Sequence, residues 1–339
     1  MSLPPETRFS VAVSDAERLD SFLANQLQLS RTVAARIIAD KRVIIGNQPA
    51  RASLKPEYRT EIGITFPALP VRQITGADIA LTIAWEDDAL AVIDKPAGLV
   101  VHPAPGHWDD TLVNALVARG FHLAGGEEGR LGIVHRLDKD TSGLIVVAKT
   151  ARAHEKLGAA LAARKITRRY AALSWGHLGP GERKINAALA RHEHDRKRIV
   201  VSAERGRQAV TRVQTVARGD AAELVRCTLE TGRTHQIRVH LQSIGHSVVG
   251  DAVYAGGQMT RADRSWAVAE SLNKATPRQA LHAAWLRLPH PLTGEVLDVR
   301  SEWPADLLPA LRLAIPDPAL LAETKPLQYL GFFASTEPT

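Results

Sequence analysis

The sequence predicts an α+β fold with a mixed, largely antiparallel central sheet flanked by helices, preceded by a small N-terminal α/β module. Three observations carry this. Stretches of strand character outnumber the amphipathic segments that could act as crossover helices, which argues against a doubly wound parallel sheet. Leu144-Ile-Val-Val-Ala148 is an unbroken apolar run, the pattern of a strand covered on both faces. Near the N-terminus, two helical patterns lead into an apolar hairpin, a unit close to the lower size limit for independent folding. The expected organisation is a module over 1–67, a linker over 68–78, a large domain over 79–314 and a loosely attached tail over 315–339.

In chain order, Ser14-Asp-Ala-Glu17 has capping-box spacing, with Leu19, Phe22, Leu23 and Leu27 behind it at helical intervals. Ser30 is placed to cap a second helix. Its Val33, Ile37 and Ile38 share a face, while Arg31, Arg36, Lys41 and Arg42 line its margins. Val43-Ile44-Ile45, a Gly46-Asn47 turn and an apolar stretch ending near Phe66 read as strands. Further strands are expected at Ile79–Trp85 and Leu90–Asp94, followed by a tightly turned Lys95-Pro-Ala-Gly98 loop and a helix capped by Asp109 or Asp110. Thr150 caps a helix reaching Arg164, Lys165–Leu173 is extended, and His192–Arg207 forms a hairpin or loop. Leu281–His290 closes the sheet region, and Ala305–Leu313 is a last amphipathic helix.

The net charge is +7, and its distribution is more informative than its sum. Residues 151–215 hold fifteen Lys and Arg against five Asp and Glu, a surplus of ten that exceeds that of the whole chain. Cations focused in one segment suit a polyphosphate partner. Residues 1–70 carry nine basic and seven acidic side chains, so RNA affinity there depends on placement. One cysteine, Cys227, excludes an internal disulfide and a cysteine-built zinc site, and its strand context makes it a half-buried thiol. No leader or membrane span is recognisable, so the expected location is the cytoplasm, away from membranes.

The densest chemistry lies in His135-Arg-Leu-Asp138-Lys-Asp140-Thr-Ser-Gly143, a charged turn at the mouth of the apolar run. A carboxylate held among cations stays ionised and suits a nucleophile or base, but the residues alone do not separate Asp138 from Asp140. Nucleophile-elbow, P-loop, zinc-protease and dinucleotide-binding motifs are all missing. His235 and His240 do not make a metal pair, because residues five apart share neither a strand face nor a helix face. Arg233, His235, Gln236 and Arg238 form instead a donor-rich surface opposite the acidic turn. Arg168-Arg169-Tyr170 interleaves cations with an aromatic ring, a pattern suited to phosphate contact and base stacking.

Together, His135-Arg-Leu-Asp138-x-x-Thr141-Ser-Gly143, Tyr170-x-Ala-Leu173 and Thr231-Gly-Arg-x-His235-Gln-Ile-Arg238-Val-His240-Leu resemble the motifs of the RluA-type pseudouridine synthases. Lys95-Pro-Ala-Gly98-Leu and Gly250-Asp251-x-x-Tyr254 add to the resemblance, which spans about 16–313, with 16–67 similar to the S4-like RNA-binding module of several such enzymes. The resemblance implies a pseudouridine-synthase catalytic domain in which Asp138 is the catalytic aspartate, Arg136 displaces the target base, Tyr170 stacks on uracil and Arg238 pairs with Asp138. It implies further substrate contacts from Arg233 and His235, and RNA contacts from Arg31, Arg36, Lys41, Arg168 and Arg169. Large-subunit (23S) ribosomal RNA is the implied substrate and partner, the chain is expected to be a monomer, and the chemistry demands no metal or cofactor. The same chemistry on tRNA is one alternative. A non-catalytic RNA-binding or ribosome-assembly protein and an unrelated aspartate-dependent glycosidase are others; a pure binder has no need of a carboxylate among phosphates, and a glycosidase generally needs a second placed acid.

Overall fold

The computed structural model of the chain describes residues 6–11, 17–27, 31–65, 74–104, 106–121, 131–195, 198–256 and 266–334. It divides into two units, 1–73 and 74–339.

In the first unit, β1 (Glu6–Ser10), α1 (Leu19–Gln26), α2 (Arg31–Ala39), β2 (Val43–Ile45), β3 (Gln48–Pro49) and β4 (Glu61–Thr65) follow in order. The sheet runs β1-β4-β2-β3, and Leu19, Leu23, Ala34, Ile38, Val43, Ile62 and Ile64 form its core. Gly46 and Asn47 both adopt positive φ, as the two central residues of a tight hairpin require. The expected caps Ser14 and Ser30 lie outside the described residues, as does most of the expected linker; α1 begins at Leu19 with Arg18 in the N-cap position. Arg31, whose side chain is largely exposed, is also an ion-pair partner within the unit. Its Nε lies 3.1 Å from Asp20, which also pairs with Arg18, and these guanidiniums, Arg18 first, hold the Asp20 carboxyl down at about 2.

The second unit contains β5 (Thr82–Glu86), β6 (Leu90–Lys95), α3 (Leu112–Ala118), β7 (Ser142–Ala148), α4 (Ala151–Ala162), β8 (Thr167–Trp175), β9 (Glu182–Asn186), β10 (Leu189–Arg191) and β11 (Ile199–Val201). It continues with β12 (Val210–Arg218), β13 (Ala222–Leu229), α5 (Gln236–Ser243), α6 (Trp266–Lys274), β14 (Leu281–Pro289), β15 (Val296–Arg300), α7 (Leu308–Ala314) and α8 (Pro326–Tyr329). Nine strands make one sheet in the order β5-β6-β7-β14-β8-β13-β12-β9, with β15 on β14. Every pairing is antiparallel except β7 with β14, so the sheet is mixed and largely antiparallel. Alternation along β7 explains its unbroken apolar sequence: Ile145 and Val147 join the cluster containing α3, while Leu144, Val146 and Ala148 join the one containing α4. Thr150 caps α4 by accepting from Ala153 N, whereas α3 is capped by Thr111, not by Asp109 or Asp110. Cys227 is fully buried on β13, not half-buried, and burial pushes its thiol pKa up.

The parallel junction is tight. A Cβ at Gly143, where φ is +107°, would sit 2.4 Å from Ala283 O, so the residue leaving the charged turn can only be glycine.

Residues 315–334, the described part of the expected tail, are not loosely attached. Leu320, Leu327 and Phe332 are fully buried in the main core, Arg226 Nη2 donates to Gly331 O, and Leu327 N donates to Glu302. Single-turn helices and prolines carry too little periodicity to announce this packing, although its apolar anchors are present. Phe332→Ala is expected to cost about 3–5 kcal/mol of unfolding free energy by chemical denaturation, the range for emptying a buried aromatic site; a loss below about 1 kcal/mol would mean the tail adds nothing to the core.

Candidate active site

The charged turn enters the sheet where β14 stops shielding β7. The two strands pair only at Ser142 and Gly143, and beyond them the exposed edge of β7 is covered by residues 132–135. Ala148 N donates to Gly132 O at 2.8 Å, and Val146 N donates to His135 Nε2 at 3.2 Å, so the imidazole of His135 takes the place of a backbone carbonyl. Burial, with Arg168 nearby, drives the His135 pKa down to about 3 and keeps the ring neutral. Behind the turn, the fully buried Lys95 donates from Nζ to Pro96 O, Leu99 O and Lys139 O at 2.7, 2.9 and 3.1 Å. Gly98 N also donates to Lys139 O. The loop is thus held by its main chain, leaving the side chains of Arg136 and Asp138 to point elsewhere.

Asp138 lines a pocket together with Arg136, Arg168, Tyr170, Arg233, His235 and Arg238. Six of the sequence-derived site residues therefore converge here on Asp138, supplied by three separate parts of the sheet and helix framework. Asp140 is exposed and does not line the pocket, which separates the two carboxylates that the sequence left equivalent. Arg238 Nη1 donates to Asp138 Oδ2 at 3.2 Å. The same guanidinium donates from Nε and Nη2 to Asp251 at 2.6 and 2.9 Å, a two-pronged ion pair in which the Asp251 side chain is fully buried. Val253 N and Tyr254 N also donate to Asp251 Oδ1.

Arg238 lies on α5, whose start is built by Gln236. Its side-chain oxygen accepts from Thr231 Oγ1 and Arg233 N, and its amide nitrogen donates to Val210 O and Thr211 Oγ1. His235, the N-cap, takes a left-handed conformation (φ 55°), and its Nδ1 lies 2.8 Å from Tyr254 OH. The Arg238 guanidinium also stacks 4.9 Å from the centre of the Tyr254 ring. His240 is spent structurally: its ring nitrogens reach Thr211 Oγ1 and Ala187 O.

Tyr170 presents its ring from β8, and burial raises its phenol pKa to about 12, so the group is a neutral, apolar-bodied platform. Arg168, two residues earlier, shares its face. Arg169 does not: it lies on the opposite face, its guanidinium 4.2 Å above the Trp285 ring, and it corrects the expectation of an RNA contact there. Period-two alternation along a strand already separates Arg169 from the Arg168–Tyr170 pair, and that signal was available in the sequence. Arg36 and Lys41 are exposed on the first unit.

Two residues that sequence reasoning left without a role complete the site. Asp251 and Lys95 enter the sequence reading only as members of supporting motifs, yet one anchors Arg238 and the other the loop of Asp138. No charge pattern could have paired Asp251 with Arg238, since thirteen residues separate them and the pairing depends on the turn after α5.

Comparison with known proteins gives the class to which this fold and pocket belong, an RNA-modifying isomerase. Residues 89–243 match the RNA pseudouridylate synthase family, a span that includes Asp138, Tyr170 and Arg238. The chain is 42% identical over 302 residues to the ribosomal large subunit pseudouridine synthase D of Pseudomonas aeruginosa, covering 88% of this chain and 92% of that one. It is 49% identical over 236 residues to the protein of the same name from Zymomonas mobilis, covering 68% of this chain and 71% of the other. Among solved structures, human RNA pseudouridylate synthase domain containing 1 superposes with a TM-score of 0.54 at 25% identity, covering 79% of this chain and all of that one. The chain belongs to the pseudouridine synthase family and is an isomerase.

Neutral, buried His135 gives a test of the site's architecture. Its folded pKa of about 3 lies below the ordinary value of 6.5, so between these pH values the unfolded chain binds the extra proton and stability falls as pH falls. Denaturation at pH 7 and pH 5 is expected to show a decline to which this residue contributes up to about 1.4 kcal/mol per pH unit, and His135→Gln should flatten it; equal slopes in parent and variant would contradict the buried neutral ring.

Proposed function

We propose that this enzyme converts uridine to pseudouridine in large-subunit ribosomal RNA, with Asp138 as its catalytic aspartate. The substrate class rests on its relatives, two of them ribosomal large subunit pseudouridine synthases D that share 49% and 42% of aligned residues with this chain. The observation that carries the residue assignment is the Asp138 carboxylate, fixed 3.2 Å from Arg238 at the wall of a pocket shared with Tyr170.

The reaction is an isomerisation in which the N1–C1′ bond breaks, a C5–C1′ bond forms, and the proton lost from C5 is balanced by one gained at N1. Uracil leaves as a delocalised anion, so a single carboxylate suffices where glycosidases generally need two. The detached base must stay in place while it turns. A neutral Tyr170 ring supplies a stacking surface that retains it without competing for its charge. Arg168, Arg233 and Arg238 around the pocket favour the anion and the flanking phosphates. In this reading Arg136, which is exposed and lines the pocket, displaces the target base and fills the gap it leaves. Extrusion costs a few kcal/mol, offset by stacking and phosphate contacts. Residues 1–67 form the S4-like RNA-binding unit in this reading, with Arg36 and Lys41 as exposed phosphate contacts.

Asp138→Asn is expected to abolish pseudouridine formation on a large-subunit rRNA transcript, a fall of at least about 10³-fold, while RNA affinity changes less than about threefold. Pseudouridine mapping on the reacted transcript, with filter binding alongside, reads both; retained turnover in the variant would reject Asp138.

A further inference from the structure

The pocket's two charged partners, Asp138 on the loop and Arg238 on α5, come from segments 100 residues apart in sequence. Their separation must therefore be set by something that touches the supports of both. One short segment does, Thr276 to Gln279, just before β14. On the side of the loop, Arg278 Nη1 donates to Asp140 O at 3.0 Å and Nη2 to Ser142 Oγ at 3.0 Å, while Gln279 Nε2 donates to Thr141 Oγ1 at 2.8 Å. Three consecutive loop residues are gripped by two side chains. Towards the Arg238 partner, the backbone of the same segment lies against Gly250, the neighbour of Asp251. A Cβ at Gly250, where φ is +72°, would fall 2.3 Å from Arg278 O and 2.5 Å from Thr276 Cγ2. Ala280 N donates to Val249 O at 2.8 Å and closes the contact.

The Arg278 side chain is only 10% exposed, and Asp306 orients it by accepting from Nε at 2.7 Å and from Nη2 at 3.0 Å. The planar fork is what allows one side chain to address Asp306, Asp140 O and Ser142 Oγ in three fixed directions; a lysine ammonium carries the charge without that geometry. The residue does not line the pocket.

We propose that Arg278 is a positioning residue for the isomerisation: oriented by Asp306, it holds the backbone after Asp138 so that this carboxylate meets Arg238 and the reacting sugar at the productive distance. The proposal rests on the reading of Asp138 as the catalytic aspartate. Loss of such a brace acts through small displacements, and about 1 Å at a reacting group costs on the order of 10²-fold in rate.

The test uses the full chain, an unmodified large-subunit rRNA transcript, single-turnover rates and RNA affinity, with Asp138→Asn measured in parallel. Arg278→Ala is expected to slow the single-turnover step by about 10- to 100-fold with RNA affinity within about threefold of the parent, and Arg278→Lys to restore only part of the loss. Full recovery in Arg278→Lys would assign the effect to charge alone and overturn the proposal. So would a parallel fall of rate and affinity, which would make Arg278 an RNA contact. If Asp138→Asn is inactive and Arg278→Ala keeps its rate within about threefold, the brace fails and the aspartate stands; if Asp138→Asn is active, the aspartate assignment itself fails. Should Arg278→Ala lose its cooperative thermal transition, Asp306→Asn decides: a several-fold slower step with unchanged affinity supports the proposal, and an unchanged step overturns it.

Discussion

A single guanidinium shared between two carboxylates is the constraint on which the active site depends. Arg238 is nearly buried, and a buried cation is tolerable only if its donors are met. Asp251 meets two of them and is itself saturated by backbone N–H groups, so this half of the cluster is rigid. The remaining Nη1 reaches Asp138 at 3.2 Å, longer than either bond to Asp251. The asymmetry has a chemical use. In the proposed reaction Asp138, oriented through one oxygen, has the other for substrate, while Asp251 is fully buried and bonded to Arg238 and to two backbone N–H groups.

The sheet explains why such a cluster is possible. Its one parallel junction brings the entry to β7 beside the entry to β14, and the glycine at position 143 lets the two backbones approach closely enough to pair. β7 itself, sealed by apolar layers on both faces, cannot shift without exposing its core. Charge therefore collects at the strand's mouth, where Gly132 O and the ring of His135 replace the acceptors that a continuous ladder would have supplied and the Lys95 ammonium holds the carbonyls of the loop. Rigid support beneath a polar loop keeps the reorganisation needed during reaction small.

Much of this was legible in the residues. The apolar run of β7 and the cap at Thr150 follow from local patterns, whereas the pairing of Asp138 with Arg238 and a pocket role for Tyr170 came only from the motif resemblance; the structure brings these three residues to one pocket. What escaped was non-local. Arg278 grips a carbonyl 138 residues earlier, and Asp251 gains its meaning only after a helix has turned the chain back on itself. Arg169 was grouped with Arg168 because both are cationic, although strand alternation sends them to opposite faces. The C-terminal segment was discounted because prolines and single-turn helices lack periodicity, yet Phe332 is as buried as any residue of the sheet.

The central claim is that an extruded uridine meets Asp138 inside this pocket. A crystal structure of the Asp138→Asn variant bound to its rRNA target tests it most directly. The account predicts one uridine out of the RNA stack, its base against Tyr170 and its sugar within contact distance of residue 138, with the Arg238–Asp251 pair unchanged. An RNA bound with every base stacked, or seated elsewhere on the molecule with the pocket empty, would contradict it.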